Sequence, residues 1–325
     1  LAIAALPARA GAQAADPPAA KPCTLTPGPS HTVVRVIDAE TVRLDDGGEV
    51  RLIGALAPRA PDFADTSAPW PPEQQAVAQL TGLVLGRSVE LAFAEHRFDR
   101  YGRLLAHLFV MRDAERVWVQ GKMLSSGNAR AYVLPGDAAC LPELVAHEAA
   151  ARAAGSGIWA LSLYRPRSAD DPAKLLKRRN SFEIVTGRIA HVAPSKTRTY
   201  LNFGEDWHTD FTAGIAGKVL RARPEWAQTL GALEGRTVEV RGWIEYRNGP
   251  YIEITDPGQL VPVEEGAPSA AAPAPKGPAP QGPSPKGPSM SSGKPLPPAG
   301  LPATGGDGTV PNEQRPEQAP GAVNL

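Results

Sequence analysis

Arginines and aromatic rings are the side chains through which this chain could engage another molecule. Arg97, Arg100 and Arg103 cluster on one polar turn between two strand-like runs. Guanidinium groups are permanently charged, planar donors that match phosphate oxygens, so the chemistry open to this turn is anion recognition. A second group is Tyr200, Trp243 and Tyr251. Alternation sets Trp243 with Arg241, Glu245 and Arg247, opposite Val238, Val240, Ile244 and Tyr246. Tyr251 lies opposite Ile252 and Ile254, and Tyr200 lies with Asn202 opposite Leu201 and Phe203. Three rings thus project from polar faces, near Arg198, Arg241 and Arg247, in positions suited to stacking the bases of a single strand. The same rings would equally suit a barrel cover, packing on the first domain or contact with a protein partner.

The remaining reactive side chains are sparse. Cys23 and Cys140 have no clustered histidine, which argues against zinc, and they are candidates for a disulfide if the protein is exported. His191 and His208 have no companions at ligand spacing. Lys+Arg and Asp+Glu balance at 34 each, which argues against a chain-wide basic footprint for nucleic acid. Residues 31–160 carry more acids than bases, so nucleic-acid affinity there would need a local patch of cations.

These residues must be positioned by several kinds of segment. Residues 1–30 read as a signal peptide and Pro-rich leader. An apolar run precedes the small-residue pattern Ala12-Gln13-Ala14, although a positive n-region is missing. From His31 the chain alternates as strand, turns at Gly47-Gly48 and returns as strand. Pro71 starts a helical spacing that stops at Gly86. Two strands flank the arginine turn, and helices near 119–127 and 141–154 close a unit at Gly157-Ile158-Trp159. Residues 161–181 read as a basic, solvated linker. Residues 182–261 read as strand, strand, strand, helix, strand, strand, with a hairpin at Asn248-Gly249. Residues 262–325 are Pro-, Gly- and Ala-rich and are expected to be disordered. Leu301-Pro302-Ala303-Thr304-Gly305 matches a cell-wall sorting pentapeptide, but no apolar stretch or basic tail comes after it. No later apolar run approaches the ~20 residues that span a bilayer. The fold class expected is mostly β with packing helices (α+β), built on a five-stranded barrel of OB type, with a second OB-like β domain after it.

Three motifs carry a resemblance. Val36-Ile37-Asp38-Ala39-Glu40-Thr41 is similar to V-I-D-G-D-T. Arg51-Leu52-Ile53-Gly54-Ala55-Leu56-Ala57-Pro58-Arg59 is similar to R-L-I-G-I-D-A-P-E, and Asp99-Arg100-Tyr101-Gly102-Arg103 to D-K-Y-G-R. In this order over residues 31–160 they resemble the staphylococcal nuclease (thermonuclease) family. That family hydrolyses phosphodiesters with calcium, carboxylate ligands, a glutamate base and two arginines. The resemblance makes Arg51 and Arg103 the catalytic arginines, Arg100 and Tyr101 the phosphate-binding pair, and Asp38 and Glu40 the surviving metal-ligand positions. The second ligand aspartate is replaced by Leu56 and the base by Arg59. A leucine cannot ligate calcium, and an arginine cannot accept a proton.

The resemblance and the leader together imply an exported protein, periplasmic or extracellular, with a degenerate hydrolytic site and no cofactor, calcium being the family's ion. Its partners would be single-stranded nucleic acid, a phosphorylated ligand or another protein. Two further readings stay open. Asp62 or Asp65, just after Arg59, would supply a substitute carboxylate in an active enzyme. Asp38, Glu40 and the arginines would otherwise form an ion-pair network without catalytic use.

Overall fold

The computed structural model describes residues 23–61, 69–134, 138 and 140–263, all within one compact unit, Leu1–Ala272. The leader before Cys23, Asp62, Asp65 and the Pro-rich tail from Glu264 lie outside the described residues.

The β-branched alternation after His31 forms β1 (Thr26–Asp38), β2 (Thr41–Leu44) and β3 (Glu49–Leu52). Gly47, at φ +86°, makes the turn between β2 and β3. β1 begins inside the stretch expected to be leader, with Thr26 against Phe93 and Pro27 against Ala92. A register shift between Pro27 and Ser30 absorbs Pro29, which has no N–H to give a ladder. The short β4 (Ala55–Leu56) comes next, then α1 (Pro71–Val84), whose buried Ala76, Leu80, Leu83 and Val84 lie on one face. β5 (Ser88–Phe93), β6 (Leu104–Arg112) and β7 (Glu115–Trp118) lead into α2 (Val119–Ser125). β8 (Arg130–Ala131) pairs with β4, and α3 (Leu141–Ala153) ends this part. The sheet order is β3-β2-β1-β5-β6-β7, and a parallel β3–β6 pairing closes five of these strands into a barrel. Val33, Val42, Leu52, Leu80, Leu91 and Leu108 fill it.

Cys23 and Cys140 form a disulfide across a sequence separation of 117. It pins the N-terminal arm to the start of α3, where Glu143 also accepts the Cys23 N–H at 2.8 Å. A bond closing so long a loop contributes roughly 2–5 kcal/mol.

The stretch 161–181 is folded rather than a bare tether. β9 (Arg167–Ser168) pairs in parallel with β10 (Phe182–Arg188), and α4 (Pro172–Leu176) buries Leu175 in the second core. Then come β11 (His191–Pro194), β12 (Arg198–Asn202), β13 (Thr212–Ala216), α5 (Gly217–Arg221) and α6 (Pro224–Thr229). β14 (Thr237–Trp243), β15 (Glu245–Tyr246), β16 (Pro250–Ile254) and β17 (Leu260–Pro262) complete the chain. The pairings β10–β14, β11–β12, β12–β13, β13–β16 (parallel) and β15–β16 repeat the order of the first barrel.

A third apolar cluster joins the two β regions: Leu56, Tyr132, Ile158 and Trp159 from one side, Phe182 and Ile184 from the other. Beside it, the Arg241 guanidinium lies 3.2 Å from the Glu148 carboxylate, both side chains nearly fully buried. Arg152 also pairs with Glu239.

Candidate functional site

The tight turn between β1 and β2 places the acids of the first motif. Asp38 accepts the Glu40 N–H at 2.7 Å, an Asx turn that fixes the loop. Glu40 points inward and is 1 % exposed. One of its oxygens accepts the Ala57 N–H at 2.8 Å. The other lies 2.9 Å from Arg51 and 3.2 Å from Arg59. A buried carboxylate is stable only when paired and hydrogen-bonded, and these three partners meet that need. Burial works against the Arg51 charge, but Glu40, Tyr132 and Asp38 outweigh it and raise its pKa.

Arg51 is on β3, opposite Thr41 of β2, which explains why it reaches Glu40. Arg59 comes after β4 and keeps 59 % of its side chain exposed. Leu56 faces the other way, 7 % exposed, in the apolar cluster with Phe182 and Ile184. The second motif therefore contributes two cations beside Glu40, an apolar side chain turned away from it, and no carboxylate. Among the described residues, the one convergence of three possible metal ligands is His31, Asp45 and Asp46, which excludes Asp38 and Glu40.

The third motif forms the β5–β6 connection. Asp99 accepts the backbone N–H groups of Tyr101 and Arg103 at 2.9 and 3.0 Å, and pairs with the Arg103 side chain at 2.7 Å. Burial pushes the Asp99 pKa up, but these bonds outweigh it and hold it below the usual value. Arg103 is thus neutralised locally. Arg100 and Tyr101 project outward: Tyr101 is 68 % exposed, and the Arg100 guanidinium sits 4.9 Å from the centre of its ring. Glu40, Arg51 and Arg59 form one cluster; Asp99, Arg100, Tyr101 and Arg103 form a second.

The aromatic candidates separate. Tyr200 and Trp243 are 36 % and 38 % exposed. Tyr251 is 1 % exposed, with its hydroxyl 2.7 Å from Glu253 and Arg247 over its ring at 4.4 Å. It offers no free face to a base. Burial, followed by Glu253, pushes its pKa up. Arg241, expected on a solvent face, is buried because α3 covers that side of β14 with Glu148. Sequence reasoning also missed Tyr132 and the Ala57 N–H. The second is a backbone group and leaves no trace in side-chain identity.

Among the described residues no helix is long and apolar enough to cross a membrane. The family model described as staphylococcal nuclease homologue matches residues 49–161, which begins after Asp38 and Glu40. The Thermonuclease of Staphylococcus intermedius is 32 % identical over 124 residues, covering 37 % of this chain and 70 % of that protein. With a closed five-stranded barrel of mixed pairing and its packing helices already in place, these matches make the chain a member of the staphylococcal nuclease family.

Proposed function

We propose that this is an exported member of the family whose hydrolytic site is degenerate, and that it acts as a phosphate- or nucleic-acid-binding module. The observation that carries the reading is the Glu40 carboxylate held between Arg51 and Arg59. An internal carboxylate occupies the fork that a phosphodiester would need. Arg59 supplies a fixed positive charge beside Glu40, where a metal would otherwise compensate it, and repels any cation that approaches. Leu56 adds no ligand. Arg59 stands where the resemblance puts the base and cannot accept the water's proton, so on this reading the site lacks the proton acceptor that hydrolysis in this family uses. By the same reading calcium is not expected to be a cofactor of this chain.

The recognition half survives in a different state. Arg100 and Tyr101 are outward-facing, and Arg100 has no ion-pair partner among the described residues. A guanidinium backed by an aromatic face suits a terminal phosphate and its adjoining base. The second β region, read as an appended OB-like domain over residues 182–261, offers Tyr200 and Trp243 as further rings. The Cys23–Cys140 disulfide supports export, since such bonds persist in oxidising compartments.

The test is fluorescence anisotropy with a labelled, 5′-phosphorylated oligothymidylate and the whole chain. The expected result is salt-sensitive binding that weakens about tenfold or more on Arg100→Ala with Tyr101→Ala. Binding indifferent to both substitutions would remove this surface from the reading.

A further inference from the structure

Trp243 sits at the end of a ladder of side chains that begins at the candidate site. Tyr132 is close enough to Arg51 to raise its pKa. Its ring meets Phe182 edge-on at 6.4 Å, and Phe182 meets Trp243 edge-on at 6.0 Å. The Trp243 indole, packed on one side, remains 38 % exposed. The turn before β10 is bonded to the same strand end: the Asn180 N–H donates to the Ile244 carbonyl at 2.8 Å, and the Ile244 N–H to that of Ser181 at 2.9 Å. This turn carries Lys177 and Arg179, both exposed. Among the described residues neither has an ion-pair partner, whereas the neighbouring Arg178 is bound to Glu183 at 2.7 Å and Lys174 to Asp171 at 2.7 Å. The nearby Arg247 is likewise occupied, by Glu245 and Glu253.

From this arrangement we infer that Trp243, Lys177 and Arg179 form a second contact point for single-stranded nucleic acid, one base stacking on the indole and the flanking phosphates on the two cations. The inference rests on the nucleic-acid reading above and extends it from the first barrel to the second β region. Its physical basis is a ring that is both anchored and open, at a strand end bonded to a turn with two exposed cations that form no close ion pair among the described residues. Base stacking on an aromatic side chain is sequence-tolerant, so the ligand class is a single strand without a fixed sequence. A strand held at Arg100 and Tyr101 reaches this second anchor only if it is long enough.

The test compares a 5′-phosphorylated tetranucleotide with a dodecanucleotide of thymidylate, titrated against the full chain by anisotropy. Trp243→Leu keeps an apolar contact for Phe182 and removes the stacking ring. Lys177→Gln with Arg179→Gln alters only exposed positions, so it remains informative if the tryptophan variant folds poorly. The dodecanucleotide is expected to bind more tightly than the tetranucleotide. Trp243→Leu should weaken it about five- to a hundredfold, and the double glutamine variant should lower its salt slope by about one. The tetranucleotide should be unaffected by either change. Dodecanucleotide binding that depends on Arg100 and Tyr101 but ignores all three residues would overturn this inference alone. Absence of binding by the unmodified chain would overturn it together with the reading on which it rests.

Discussion

Both β regions close through a bent first strand whose front part pairs with the fourth strand and whose rear part pairs with the second. In the first region these parts are Thr26–Thr32 against β5 and Val33–Asp38 against β2. In the second they are β10 against β14 and β11 against β12. The next turn is where they differ. The first region has Asp38 and Glu40 there, and β3 brings Arg51 opposite Thr41. The second has Ser195, Lys196 and Thr197, and the residue that β13 sets against Arg198 is Ala216. One circuit of strands therefore holds a fully buried carboxylate between two arginines in one region, and in the other a more open cluster in which Arg198 and Arg247 share Glu253. The circuit supplies a place, and the residues grafted there decide the chemistry.

The contrast is sharpest where the two regions meet. The Glu148–Arg241 pair joins α3 to β14 with both partners out of water. Glu148→Gln or Arg241→Met leaves one charge buried alone, and is expected to lower unfolding stability by about 3–5 kcal/mol in a denaturant titration. A loss under about 1 kcal/mol in either variant would mean that this pair does not couple the two regions. Reducing the Cys23–Cys140 bond acts on the first region alone. It should cost roughly 2–5 kcal/mol, read as a lower melting temperature with reductant than without it.

His107, 1 % exposed inside the first region, gives a pH test. Burial lowers its pKa to about 4 from the ordinary 6.5, and Trp118 donates to its ring at 3.3 Å. The folded state keeps the ring neutral while the unfolded chain takes up a proton below pH 6.5. Stability from this group is complete above 6.5 and falls as the pH drops towards 4, by roughly 3 kcal/mol in all. His107→Phe should flatten the acid limb of a stability–pH curve over that window. The smallest effect is expected at Arg59: its pair with Glu40 is 59 % exposed on the arginine side, so Arg59→Ala should change stability by less than about 1 kcal/mol.

Much of the first region is legible in its residues. The motif resemblance, ungapped from Arg51 to Arg59, implies carboxylates where Leu56 and Arg59 stand, and the alternation after His31 marks the barrel strands. Two things are not legible. Glu40 turns inward because the Ala57 N–H waits for it, and a backbone donor has no sequence signature. Alternation also assigns Arg241 and Tyr251 to faces that look polar. It identifies the two faces of a strand but not what covers them; for Arg241 the cover is Glu148, 93 residues away. The same limit makes residues 161–181 look like a solvated linker, since Leu175 finds its core only through strands that come later in the chain.

The central claim is that Glu40, Arg51 and Arg59 neutralise one another and leave no calcium-dependent hydrolysis. The direct measurement is cleavage of single-stranded DNA by the full chain with calcium and with a chelator, beside Arg51→Ala combined with Arg103→Ala. The account predicts no cleavage that depends on calcium in either protein. Calcium-dependent cleavage by the unmodified chain, lost in the double variant, would contradict it and would place a working base among residues outside this cluster.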